Sequence, residues 1–266
     1  MRKHRFPYGN NVKSLRTALR VLHAFGRERS RWSVGDLAGH LKLNKSQVSK
    51  MLFEFRAAGF LSQDPRSREY AVGIHALALG GNYLQEQPLV REAIVVMRRL
   101  TDETGHTTVL AILHDIDVLY LAAVEGRYFL DIGWRVATWL PFHATAVGKV
   151  LMAFAGERLV DRAAREKGLR RLTPNTICDM RALKAQFAKV RKSGVAETSE
   201  ETMSGLAAQA VPVLGERQVC IAALGFVYPL HAVPPNKRKL NRSKLQKAAL
   251  ALSSKMGALV YPYGEA

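Results

Sequence analysis

Asn44 to Gly59, NKSQVSKMLFEFRAAG, is the stretch on which the rest of the chain turns. Its apolar positions Val48, Met51, Leu52 and Phe55 fall on one side of a helix, and Lys45, Ser46, Gln47, Ser49 and Lys50 gather at its polar start. Ahead of it Val34, Leu37, Ala38 and Leu41 recur at three- and four-residue steps, and only Lys42 and Leu43 lie between the two patterns. A short helix, a tight turn and a helix presenting hydroxyls, an amide and lysines to solvent make a helix-turn-helix suited to the major groove of a duplex.

The flanking residues support that reading. Ser14 is placed to cap a first helix running through Leu15, Ala18, Leu19, Leu22 and Phe25 to Gly26. Ser33 caps the second, with Asp36 closing the arrangement, and Asn44 caps the third. Gln47 has two uses open to it: folding back on that cap, or meeting a base edge. Lys45 and Lys50 suit phosphate or guanine, and Ser46 and Ser49 either bond phosphates or keep the helix slim. After Gly59, Phe60 and Leu61 pair with Tyr70 and Val72 around Asp64-Pro65-Arg66-Ser67, predicting a hairpin wing tipped by Arg66 and Arg68. Residues 1–12 read as a basic arm.

Charge points the same way. The 266 residues hold 40 Lys and Arg against 22 Asp and Glu, a net +18. Residues 1–73 have 15 basic and 5 acidic side chains, net +10, leaving +8 for the other 193. Clustered cations of this kind favour a polyanion, because neutralising phosphates releases condensed counterions. An apolar share of 48% with 23% charged residues fits a globular chain that buries a core. No apolar run is long enough to span a bilayer, and the basic N-terminus lacks the apolar core of a secretion signal. Cys178 and Cys220 stand far apart and in no ligand spacing, so a reducing cytoplasm is expected, without a disulfide scaffold or structural zinc.

Past the wing, residues 74–88 predict a connector helix weakened by Gly80 and Gly81, and residues 89–260 a second domain. A helix over 89–103 precedes strands at 106–114 and 117–125, with a third at 129–137. Helices follow from about Thr145, over 157–167 and over 179–192. Strands at 207–213 and 219–227 and a helix over 236–256 close the chain. Strands, helices and strands again, without regular βαβ alternation, predict an α+β antiparallel sensor domain. There is no GxSxG, GxGxxG, phosphate-binding glycine loop or HExxH, and His106, His114, His143 and His231 keep unrelated spacings. Neither catalysis nor a cofactor or metal is expected. Two segments are site-like all the same. In Leu140 to Lys149 a loop (Pro141, Phe142, His143, Ala144) meets a helix start of small residues (Thr145, Ala146, Val147, Gly148), suited to seating an anion on free N–H groups or to tight packing. Gly194 to Val213 is a polar loop leading into an apolar strand.

These pieces carry a family likeness. SLRTALRVLHAF, LAGHLKLNKSQVSKML, the GFL…YAVG wing, LPFHATAVGKVLMA and GVAETSEETMSGLAAQAVPV, in that order, resemble the IclR family of bacterial transcriptional regulators over about residues 13–258. The resemblance implies a winged helix-turn-helix domain at 13–73, a connector helix, and a GAF-like effector-binding domain. It also implies homodimers or dimers of dimers (homotetramers) on palindromic double-stranded operators. By resemblance the carboxylate-binding positions fall on Ala146 and Val147, and the polar effector contacts on Thr198, Ala208, Gly225 and Val227. Glyoxylate-type members place an acid, a cysteine and serines at these last four. Exchanging such groups for Ala, Gly and Val predicts a roomier, less polar pocket and an aromatic or medium-sized carboxylate effector, since a buried unpaired polar ligand atom costs about 1–3 kcal/mol. GFVYP resembles members governing aromatic-acid catabolism. The expected function is thus a ligand-responsive regulator of a catabolic operon. The rivals are a sequence-independent nucleic-acid binder and an enzyme in the C-terminal domain.

Overall fold

A computed structural model of the chain describes residues 13–27, 29–128 and 136–264. It divides into two compact units, residues 1–86 and 87–266.

In the first unit α1 (Lys13–Arg27), α2 (Val34–Leu41) and α3 (Lys45–Ala57) surround a core of Val21, Phe25, Leu37, Leu41, Val48 and Leu52. Ser14 lies inside α1, which already includes Lys13, so it does not cap the helix as expected. The other two caps form: Ser33 Oγ accepts from the Asp36 N–H and donates to Asp36 Oδ2, and Asn44 Oδ1 accepts from the Ser46 N–H at 2.8 Å. Lys42 makes the turn in the left-handed region, with φ 53 and ψ 49. β2 (Leu61–Gln63) and β3 (Tyr70–Val72) pair antiparallel as the wing, and β1 (Arg31–Trp32) adds a third strand on β3 that the sequence pattern does not announce. Two residues are too few for any periodicity to show. The chain continues into α4 (Ile74–Glu86), uninterrupted by Gly80 and Gly81.

The second unit is built on one antiparallel sheet in the order β6-β5-β4-β9-β8-β7. The strands are β4 (Thr107–His114), β5 (Asp117–Val124), β6 (Trp139–Leu140), β7 (Ala196–Ser199), β8 (Leu206–Leu214) and β9 (Cys220–Pro229). Alternation gives each strand two faces. One side, through Thr108 and Gln209, meets α5 (Pro88–Thr104) and α9 (Pro235–Lys255), with Thr101 Oγ1 2.7 Å from Thr108 Oγ1. The other, through Val109, Ala111, Ala210, Ala223 and Val227, buries α6 (Ala146–Phe154), with α7 (Glu157–Lys167) and α8 (Met180–Ser193) in the same core. The strand expected at 129–137 lies mostly outside the described residues, and the short β6 falls where a loop was expected. β7 likewise replaces part of the predicted polar loop. It is four residues long, and an exposed edge strand shows little apolar pattern.

His106, beneath the start of α9, is buried, with Nε2 2.9 Å from the Asn241 amide and Tyr128, Phe226 and Tyr228 around the ring. Burial first, then the charges of Arg127 and Lys244, lower its pKa to about 4. The folded form therefore resists a proton that the unfolded chain accepts. Stability present above about pH 6.5 is lost as pH falls toward 4, by on the order of 2 kcal/mol. Melting midpoints across that window should fall in wild type and less steeply in His106→Gln.

Candidate functional site

On the first unit, Lys45, Ser46, Gln47, Ser49 and Lys50 are all exposed, while Val48 and Leu52 between them anchor α3 in the core. The cap takes only the Ser46 N–H, so Gln47 is not engaged by Asn44. Arg20 Nη2 donates to Leu41 O at 3.1 Å, tying α1 to the end of α2 and fixing the turn in front of α3. The stripe Ser46, Ser49, Lys50 continues one turn on to Phe53, which is 54% exposed with Arg56 over its ring at 5.5 Å. Sequence reading passed over Phe53, although its i+3 spacing from Lys50 places it on the polar face. An exposed aromatic there suits contact with a thymine methyl.

The wing tip is shaped by Asp64, whose Oδ1 accepts from the Arg66 and Ser67 N–H groups at 2.8 and 2.9 Å. Those backbone bonds hold its carboxyl below the usual range. Gln63 Nε2 donates to Arg68 O, and Arg56 donates to Gln63 Oε1, so wing and α3 move together. Arg66 and Arg68 are exposed at the tip. The unit thus presents two basic edges, one on α3 and one on the wing. Removing one phosphate contact lowers the salt slope of binding by about 0.9. Lys50→Ala is expected to do that with a uniform loss across sequences if the lysine meets phosphate, or a sequence-dependent loss if it meets guanine; fluorescence anisotropy at several salt concentrations separates the two.

In the second unit, the 141–149 segment forms a compact helix start. Thr145 Oγ1 donates to Pro141 O at 2.9 Å and accepts from the Gly148 N–H at 3.2 Å, while the Lys149 N–H reaches Thr145 O. The N–H groups of Ala146 and Val147 have no partner among the described residues, and both residues line a chamber with Val109, Tyr120, Thr198, Ala208 and Val227. Burial pushes the Tyr120 phenol well above its ordinary range, so it stays neutral. A helix end with two free donors in a mostly apolar room has the chemistry to accept an anion.

The remaining expected residues lie elsewhere. Pro141, Phe142, His143 and Ala144 do not line the chamber: Phe142 is core, and His143 Nε2 lies 2.9 Å from Arg170 O. Gly225 is floor rather than wall. A Cβ on it would come within 2.9 Å of Gln209 O and 3.1 Å of Val147 Cγ1. This corrects the expectation of a roomier pocket, because small residues let α6 settle onto the sheet and leave a cavity of about 10 Å³. That is room for about one water. Val109, Tyr120, Thr202, Leu206, Ala207, Gln209 and Phe226 also line the chamber and were missed by the sequence reading.

The loop that closes the chamber is fastened from outside. Lys149 is 1% and Glu201 6% exposed, and Lys149 Nζ sits 2.5 Å from Glu201 Oε1 and 2.7 Å from Gln186 Oε1. Thr176 Oγ1 donates to Glu201 O at 2.7 Å and Thr173 Oγ1 to Glu200 O at 2.6 Å. Burial lowers the Lys149 pKa and raises that of Glu201, each partly offset by the other. Glu200 Oε1 accepts from the Gly205 N–H, whereas its neighbour Glu201 is buried. Among the described residues no group of His, Cys, Asp and Glu could hold a metal ion, and no helix is long and apolar enough to cross a membrane.

A winged helix-turn-helix carried with a chambered α+β sensor domain defines a DNA-binding transcriptional regulator. The chain belongs to the IclR family: residues 14–65 match the IclR helix-turn-helix domain and residues 81–254 the C-terminal domain of bacterial IclR regulators. It is 30% identical to the regulator KdgR of Dickeya chrysanthemi, over 96% of this chain and 83% of that one. It is equally similar, at 30%, to XynR of Escherichia coli, over 92% of this chain and 98% of that one. Among solved structures, an IclR-type regulator from Silicibacter superposes with a TM-score of 0.82 at 27% identity, covering 95% of this chain and 100% of the other. An IclR homolog from Microbacterium hydrocarbonoxydans, complexed with 4-hydroxybenzoate, gives 0.75 at 25% identity over 91% and 98% of the two chains.

Proposed function

We propose that the chain regulates a catabolic operon by sensing an aromatic or medium-sized carboxylate. The observation that carries the ligand class is the pair of unpaired N–H groups at Ala146 and Val147, facing walls in which Val109, Ala208 and Val227 offer no polar side chain. The complex of the Microbacterium homolog with 4-hydroxybenzoate supports an aromatic acid. A cavity of about 10 Å³ requires the 200–205 loop to yield before such a ligand enters. Effector binding is thereby linked to a conformational change, and a coupling of about 1–3 kcal/mol gives a 5- to 150-fold change in operator occupancy.

Operator contact falls to Lys45, Ser46, Gln47, Ser49 and Lys50 on α3 and to Arg66 and Arg68 on the wing. Exposed apolar side chains on α1 and α4, among them Leu15, Ile74, Leu77 and Tyr83, support a homodimer, the symmetry a palindromic operator demands. Titrating benzoate, hydroxybenzoate, phenylpropionate and small keto acids by calorimetry tests the ligand class; a response to glyoxylate or pyruvate alone overturns it. A gel shift of the promoter beside its own gene against random DNA at about 150 mM salt tests the operator, and equal affinity for both would favour a sequence-independent binder.

A further inference from the structure

The β7–β8 ribbon has a second hollow. Pairing sets Glu197 against Gln209, Thr198 against Ala208 and Ser199 against Ala207. Alternation turns Thr198 and Ala208 to the effector chamber and Glu197, Ser199 and Ala207 to the α9 face. Around the ribbon's edge lies an open cleft of about 260 Å³ whose polar lining is Glu197, Ser199, Glu201, Asn175, Tyr228 and Arg238, and which borders the effector chamber at Thr198, Ala207 and Ala208. It is far larger than the chamber, at about 260 Å³ against about 10 Å³.

Its polar groups are sorted by charge. Gln209 Nε2 donates to Glu197 Oε1 at 2.8 Å and to Arg238 O at 3.3 Å, pinning the carboxylate to the start of α9. The Arg238 side chain is half-buried, its only hydrogen bond among the described residues a long one of 3.5 Å from Nε to Val233 O, and its charge acts on the Tyr228 phenol. From the ribbon's loop comes Glu201. Lys149 takes its Oε1, whereas Oε2 is buried with no hydrogen-bond partner, although the Ile177 N–H lies near enough to favour the ionised carboxyl. Buried acceptors are rarely left unmet, so a donor is called for there. Two carboxylates want an amine, and a guanidinium fork wants a carboxylate.

We propose that this cleft is a second ligand site, for a small zwitterion whose amine meets Glu201 and Glu197 and whose carboxylate meets Arg238. A zwitterion is neutral overall, so it adds no net charge to a region already balanced by Lys149–Glu201 and Glu197–Arg238. The cleft adjoins the effector chamber at Thr198, Ala207 and Ala208, but its charged groups Glu197, Glu201 and Arg238 do not line the chamber, and the proposal does not depend on the identity of the effector.

The test is a melting-shift and calorimetric screen of the full chain with L-amino acids, with ethanolamine and L-lactate as single-group controls. At least one amino acid should raise the melting midpoint while neither control does. Arg238→Ala and Glu197→Gln, both at accessible positions, should each weaken its binding at least about tenfold. Val227→Phe, which fills the adjoining chamber, should leave it unchanged while abolishing any aromatic-acid response. The proposal is overturned if no amino acid binds, if binding survives both cleft substitutions, or if it is lost in Val227→Phe and kept in Arg238→Ala, which would place the zwitterion in the chamber.

Discussion

Lys149→Ala should destabilise the second unit by about 3–5 kcal/mol, the cost of leaving a buried carboxylate without its partner. Nothing nearby replaces the lost charge. Glu201 keeps only the Ile177 backbone N–H, and Gln186 loses its donor as well. The deficit should depend on pH in a specific sense. Without Lys149, the Glu201 carboxyl in the folded chain is pushed further above its unfolded value, so protonation favours folding. The variant therefore recovers toward wild type as pH falls through the raised pKa, and the recovery is complete below the unfolded value of about 4.5. Replacing both partners, in Lys149→Met with Glu201→Leu, should cost less than the single change, because hydrophobic pairs of similar volume substitute well for buried ion pairs. Urea melts of the three proteins measure this, with hydrogen exchange over residues 196–214 assigning the loss to the ribbon. A Lys149→Ala protein within about 1 kcal/mol of wild type would show that the pair does not fasten the loop.

Ala208→Asp should abolish the carboxylate response, with affinity falling at least about 100-fold, while operator binding in the absence of ligand is retained. Ala208 lines the chamber together with the two free N–H groups at the start of α6. A fixed carboxylate in that small, poorly hydrated room repels an incoming anion at a cost of several kcal/mol. It also competes for the same donors. Ala208→Ser supplies the control, adding a polar atom without charge, and should shift preference toward smaller and more polar acids. Calorimetry with the best-bound aromatic acid, run beside anisotropy on the operator, reads the two functions separately. If Ala208→Asp binds the acid as wild type does, the seat lies elsewhere.

The reading unit was legible because its signals are local. Caps at Ser33 and Asn44, the two-residue turn and the Asp64 hairpin act over three or four residues, and a sequence displays such spacings directly. Phe53 was left out of both faces of α3, although its helical phase puts it beside Ser49 and Lys50. In the second unit the helix start at Thr145 was legible for the same local reason. The chamber's true size was not, because it depends on how far Val147 sinks toward Gly225, a contact between residues 78 positions apart.

By itself, then, the sequence determined the α+β class, the helix-turn-helix with its charged face and wing, and the small-residue helix start that offers free N–H groups. These follow from propensities, capping and periodicities that act within a few bonds. Only the tertiary structure decided that Lys149 meets Glu201 across 52 residues, that the chamber is small, and that a wider polar cleft opens beside it along the β7–β8 ribbon. Those outcomes are fixed by packing and desolvation, which depend on which distant groups share a volume and leave no periodic trace along the chain.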